Sequence, residues 1–104
     1  MQAAPGERVV TGARSTALQL IAFRSRRTLA DFVARNPLPE RFYVREETYQ
    51  GGPWIVLIHS LHESVDEAEQ ARAALPESLA DLDIWIRPLE SGAELEVVAA
   101  DSSL

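Results

Sequence analysis

An α+β domain built on one antiparallel sheet is the fold class this chain predicts, and three observations predict it. Apolar residues recur at every second position in three segments, run uninterrupted in a fourth and recur at every third or fourth position in two more, in the order strand, helix, strand, strand, helix, strand. The joints between those segments carry turn and stop residues: Asn36-Pro37, Gln50-Gly51-Gly52-Pro53 and Leu75-Pro76. A length of 104 residues with 46% apolar content suits one compact domain with a modest core and is too short for two.

Residues 1–14 are rich in Ala, Gly and charge without a sustained period, and read as a linker remnant. Thr16 to Phe23 alternates as a first strand, with Leu18 and Leu20 on one face and Ala17, Gln19 and Ile21 on the other. Ser25 is a helix N-cap, and Leu29, Phe32 and Val33 form the apolar stripe of the helix that follows. Asn36-Pro37 ends that helix, because a residue before proline is pushed out of the helical region. Arg41 to Tyr49 alternates again, Phe42 and Val44 inward, Tyr43, Arg45 and Glu47 outward.

The Gly51-Gly52 pair supplies a tight turn, and the apolar run from Trp54 to Ser60 reads as a central strand, with Pro53 tolerable only as its first residue. Ser64-Val65-Asp66-Glu67 is a capping box, and Ala68, Ala71 and Leu75 continue the inner face of a second helix that Pro76 stops. A short connection carrying Leu79 and Leu82 leads to a fourth strand over Ile84 to Leu89, with Ile84 and Ile86 inside and Trp85 and Arg87 outside. The acidic, Ala-rich stretch 91–104 reads as a loose tail, so the domain is expected over residues 15–90.

This order of elements is that of the ferredoxin-like βαββαβ fold: four antiparallel strands with two helices on one face. Strands one and three are then central, four and two lie at the edges, and the other face meets solvent. Gln19, Trp54 and Trp85 are expected to share that open surface. An arbitrary Trp is as often a core residue as a contact residue. Here the inner faces of both strands are already filled by Ile55, Leu57, Ile84 and Ile86, which favours the contact reading.

Composition narrows the function. A net charge of −6 repels polyphosphate, so nucleic acid is a disfavoured partner. With no Cys there is no disulfide, thiolate nucleophile or Cys-ligated zinc. His59 and His62 stand three apart without an identifiable third or fourth ligand, so they read as ordinary loop histidines and no metal is expected. His59-Ser60 are sequence neighbours, which does not make a triad, and the acids at Asp66, Glu67 and Glu69 are explained by the helix start. Arg26-Arg27 reads as a polar helix start, and no enzyme activity is expected.

Taken together, Thr16-Ala-Leu-Gln-Leu, Gly51-Gly-Pro-Trp-Ile-Val-Leu-Ile, Ser64-Val-Asp-Glu-Ala, Leu75-Pro and Trp85-Ile-Arg-Pro-Leu resemble the SPOR domain family over Thr16 to Leu89. The resemblance implies a ferredoxin-like, non-catalytic, peptidoglycan-binding domain without cofactors, which recognises glycan strands lacking stem peptides. It further implies a periplasmic location at the division septum as a monomeric piece of a longer, membrane-anchored envelope protein, the domain itself lying outside the membrane. The family's binding face corresponds here to Gln19, Trp54 and Trp85. Its polar residue three positions after the Gln is Ala22 in this chain, and Ile21 is bulkier than the small residue often found beside it.

Aromatic rings suit the C–H faces of pyranose rings, and the Gln amide both donates to and accepts from acetamido or hydroxyl groups. Removing the stem peptide bares the lactyl carboxylate of muramic acid, for which Arg87 or Arg45 is expected to supply a charge-assisted bond. Two other readings use the same face: an RNA-recognition-like module, whose basic, aromatic third-strand signature is missing here, and a dimerisation module that packs two sheets together.

Overall fold

The computed structural model describes residues 8–12, 15–36, 38 and 41–99, and the molecule is α+β with one antiparallel sheet. Its elements are β1 (Arg8–Val10), β2 (Ser15–Phe23), α1 (Arg26–Arg35), β3 (Arg41–Tyr49), β4 (Gly52–His62), α2 (Val65–Ala73), α3 (Glu77–Ala80), β5 (Trp85–Leu89) and β6 (Glu94–Ala99). The strands lie in the order β1-β6-β3-β4-β2-β5. Among the described residues six strands replace the expected four. The additional two come from the stretches read as linker and tail, and β6 covers the side of β3 that was expected to be a free edge.

Local chemistry sets the helices. Ser25 Oγ accepts from the Thr28 backbone N–H at the start of α1, and Asn36 Nδ2 donates to the Phe32 carbonyl at its end. Ser64 caps α2 by accepting from Glu67 N, while the Glu67 carboxylate accepts from the N–H of Glu63, one residue earlier than in an ideal capping box. Pro76 does more than stop α2: it opens α3, a helix within what was expected to be an irregular connection, and α3 plants Leu79 in the core. Arg26 is likewise more than a polar helix start. It pairs with Glu46 of β3 and Glu96 of β6, and its hydrogen bonds to Glu96 foremost raise its pKa and hold the guanidinium charged.

The main core joins Leu20, Leu29, Phe42, Val44, Ile55, Leu57, Leu79 and Val98 between the helices and one face of the sheet. A second cluster lies on the opposite face: Ala17, Val56, Ile58, Leu89 and Leu95, with Val9, Tyr43 and Leu61 packed against it. That face was expected to meet solvent along its length, and the reason it does not is the link between β5 and β6. Only Glu90 to Ala93 separate two strands that stand four places apart in the sheet. Four spacings of about 4.8 Å come to about 19 Å, beyond the reach of about 13–18 Å that a few extended residues give. The sheet therefore curls, with the helix-free face concave, and residues from its two ends meet.

Thr11 fastens the curl. Its Oγ1 donates to the Glu90 carbonyl at 2.7 Å and accepts from Ala93 N at 2.9 Å, while its backbone bonds Ala93 O and Gly92 N. Gly92 sits at φ 87°, where a side chain is strained. Leu95 of β6 is fully buried in the second cluster as Leu57 is in the first, so Leu95→Ala and Leu57→Ala should each cost about 2–5 kcal/mol. Urea unfolding measures both. A Leu95→Ala midpoint equal to that of the unaltered chain would show that β6 is outside the cooperative fold.

Candidate functional site

The register of β2 changes in its middle. Gln19 pairs with Ile58 and Ile21 with Leu57, so Leu20 has no opposite number, and His59 is skipped in the same way on β4. Beyond this bulge the faces exchange. Ile21 joins the main core beside Leu20, and Ala22 turns to the concave face, the reverse of the strict alternation expected from the sequence. One large side chain is thereby withdrawn from the concave face. A groove of about 440 Å³ occupies the space, bounded by residues 19–22 of β2, by Trp54 of β4 and by residues 83–85 leading into β5.

Gln19, Trp54 and Trp85 do share this surface. Trp85 pairs directly with Gln19 across the β2–β5 ladder and is 56% exposed. Trp54 differs from expectation in being half-buried. Tyr49 packs on its ring with centroids 4.9 Å apart, and the Arg24 guanidinium lies 4.8 Å from the ring centroid. The two rings therefore present unlike surfaces: Trp85 a broad exposed one, Trp54 a restricted and fixed one.

Arg45 and Arg87 stand on the expected face but are not free charges. Arg87 Nη2 is 3.0 Å from Glu47, Arg45 Nε is 3.3 Å from the same carboxylate, and Arg45 Nη2 is 2.5 Å from Glu90. The curl brings β3 and β5 within side-chain reach across two intervening strands, which places these acids and bases together. The Glu47 oxygen has ion-pair distances without hydrogen-bond alignment, so charge alone acts there, and Arg45 Nη1 is buried with no hydrogen-bond partner among the described residues. Hydrogen bonding to its own backbone N–H, then Arg45, holds the exposed Glu90 carboxyl below the usual carboxylate range. Arg87 also lies over the Trp85 ring, 5.2 Å from its centroid, and Nη1 donates to Gln19 Oε1 at 3.4 Å. The Gln19 carbonyl oxygen is thus engaged, and the amide nitrogen remains to donate to a ligand.

Sequence reasoning did not single out Asp83, which lines this groove, Arg24 and Tyr49, which pack on Trp54, or Glu47 and Glu90, which pair with the arginines beside it. Tyr49 continues the outward alternation of Tyr43, Arg45 and Glu47 on β3, whereas the place of Arg24 is readable only once the bulge in β2 is known. Comparison with family models, with curated proteins and with solved structures gives no match to the chain.

A second polar cluster stands apart from the groove. His59 and His62, expected at the end of a strand, both lie on β4, and Ser60 Oγ bridges them, 2.9 Å from His59 Nδ1 and 2.8 Å from His62 Nε2. One hydroxyl donates to only one imidazole, so the other imidazole donates to it. Among the described residues no three His, Cys, Asp or Glu side chains gather as metal ligands. Burial, and secondarily the charge of His62, hold His59 below its ordinary pKa of 6.5. The unfolded chain then takes up this proton first as pH falls, so His59 removes stability below about pH 6.5 and down through its folded pKa. A pH series of urea midpoints should accordingly fall less steeply in that window for His59→Gln than for the unaltered chain. Parallel curves would contradict this assignment.

Proposed function

We propose that the chain is a non-catalytic glycan-binding domain of the SPOR type, which reads peptidoglycan strands lacking stem peptides through the groove between Trp54 and Trp85. Its inner strands β3-β4-β2-β5, with α1 and α2 in the two crossovers, follow the ferredoxin-like order, and β1 and β6 extend that unit. The observation that carries the reading is the convergence of Gln19, Trp54 and Trp85, from three strands, on one shallow groove of the helix-free face. Such a groove suits a chain of sugars. Ring faces stack on Trp85, the Gln19 amide nitrogen donates to an acetamido or hydroxyl oxygen, and the Ala22 floor leaves room where a polar side chain would stand.

The same groove disfavours the RNA reading. Asp83 lines it, and Glu47 and Glu90 neutralise Arg45 and Arg87 beside it, whereas phosphate binding needs a net basic face. A septal, periplasmic location follows from that ligand, because stem-free glycan is made where amidases act, and the SPOR resemblance implies a longer membrane-anchored parent. No helix among the described residues is long and apolar enough to cross a membrane.

Cosedimentation with peptidoglycan tests the reading. Amidase-treated sacculi should retain more of the chain than intact ones, and Trp85→Ala should abolish retention while moving the urea midpoint little, since the ring is largely exposed. Equal retention by both kinds of sacculus, or retention of Trp85→Ala, would mean that stem-free glycan is not what the groove binds.

A further inference from the structure

Arg24 lies over Trp54, which lines the groove, and carries a charge that no acid among the described residues offsets. It follows Phe23, which pairs with Ile55, and so stands beside Trp54 on the same face as Ala22. Its Nη1 donates to the carbonyls of Tyr49 at 2.8 Å and Pro53 at 3.4 Å, and its Nη2 donates to Gln50 Oε1 at 3.4 Å. These acceptors are all neutral. Among the described residues Arg24 forms no ion pair, in contrast to Arg26, Arg45 and Arg87.

The hairpin is shaped to hold it. Gln50 and Gly51 take positive φ, at 53° and 76°, turning the β3–β4 connection tightly so that both carbonyls are offered. At Gly52 a Cβ would come within 3.3 Å of Arg24 Nη1, so the absence of a side chain lets the guanidinium settle against the turn. Five N–H groups in a planar fork leave Arg24 further donors after these bonds, and a carboxylate accepts such donors well. At the opposite end of the groove stands Asp83. The two tryptophans therefore differ in their charged neighbours: Arg24, without an acid partner among the described residues, lies over Trp54, whereas Trp85 has Asp83 beside it and an Arg87 that Glu47 already pairs.

We infer that Arg24 is the residue that selects for a carboxylate on the bound glycan, seating a carboxylate-bearing sugar at the Trp54 end and so fixing the direction in which the strand lies. This role rests on the glycan-binding reading and moves the carboxylate contact from Arg87 and Arg45, which are already paired, to a guanidinium that is not. Losing a hydrogen bond between charged groups weakens binding by about tenfold or more.

Two probes of matching backbone separate the possibilities by calorimetric titration: stem-free muramic-acid-containing glycan strands, and chitohexaose, a β-1,4 glycan with acetamido groups and no carboxylate. Arg24→Gln should weaken the stem-free strands about tenfold and leave chitohexaose unchanged, and Arg24→Lys, which keeps the charge but loses the fork, should fall between. Added salt should weaken the unaltered chain's hold on the stem-free strands and not on chitohexaose. If Arg24→Gln loses both probes equally, Arg24 only props Trp54 or the turn, and if it loses neither, Arg24 does not touch ligand. Either result overturns the inference and leaves the glycan reading standing, whereas failure of the unaltered chain to bind either probe removes both.

Discussion

The short connection from β5 to β6 is the constraint on which the rest of the structure depends. Glu90 to Ala93 must bridge two strands separated by three others, and Thr11 holds that bridge with side-chain and backbone bonds at once. A flat sheet does not satisfy it. Once the sheet curls, the helix-free face becomes concave, Leu89 and Leu95 meet Val56 and Ile58 in a second core, and the charged residues of β3 and β5 come within reach of one another. The lower part of the face is thereby filled, and the candidate binding surface is reduced to what remains open around Gln19, Trp54 and Trp85.

The bulge in β2 decides what that remainder looks like. By sending Ile21 to join Leu20 in the main core it takes a bulky side chain off the concave face and sets Ala22 there instead. Apolar burial and site formation are served by the same backbone irregularity, since Ile21 gains contacts that an exposed position denies it. An open groove rather than a closed pocket follows from this geometry. Its walls are aromatic, and its floor is backbone and a methyl group.

Much of this was legible in the sequence, for reasons that differ from one element to the next. Ser25, Asn36-Pro37 and Ser64 act through neighbours three or four residues away, so their caps and stops follow from spacing alone. The central place of the Trp54 strand follows from its uninterrupted apolar run, and the shared face of Trp85 and Gln19 follows from parity within each strand. What was not legible depends on partners distant in the chain. Glu94-Leu-Glu-Val-Val does alternate, but only the side of β3 it covers makes it a strand, and β1 is three residues long. Leu20-Ile21 reads as ordinary alternation because both residues are apolar, and nothing local marks the skipped pairing. The pairing of Arg45 with Glu90 and the cover that Arg24 gives Trp54 join residues 45 and 30 positions apart, brought together by the curl and the hairpin turn.

The account centres on one claim, that ligand enters the concave groove between the two tryptophans. Titrating the isotope-labelled chain with stem-free glycan strands and following amide and indole N–H resonances locates the ligand directly. The account predicts that shifts concentrate on the indoles of Trp54 and Trp85 and on the backbone of Gln19 to Ala22 and Asp83, with the His59 to His62 stretch and both long helices unmoved. Shifts centred on those helices or on the histidine cluster, with the two indoles unchanged, would contradict it.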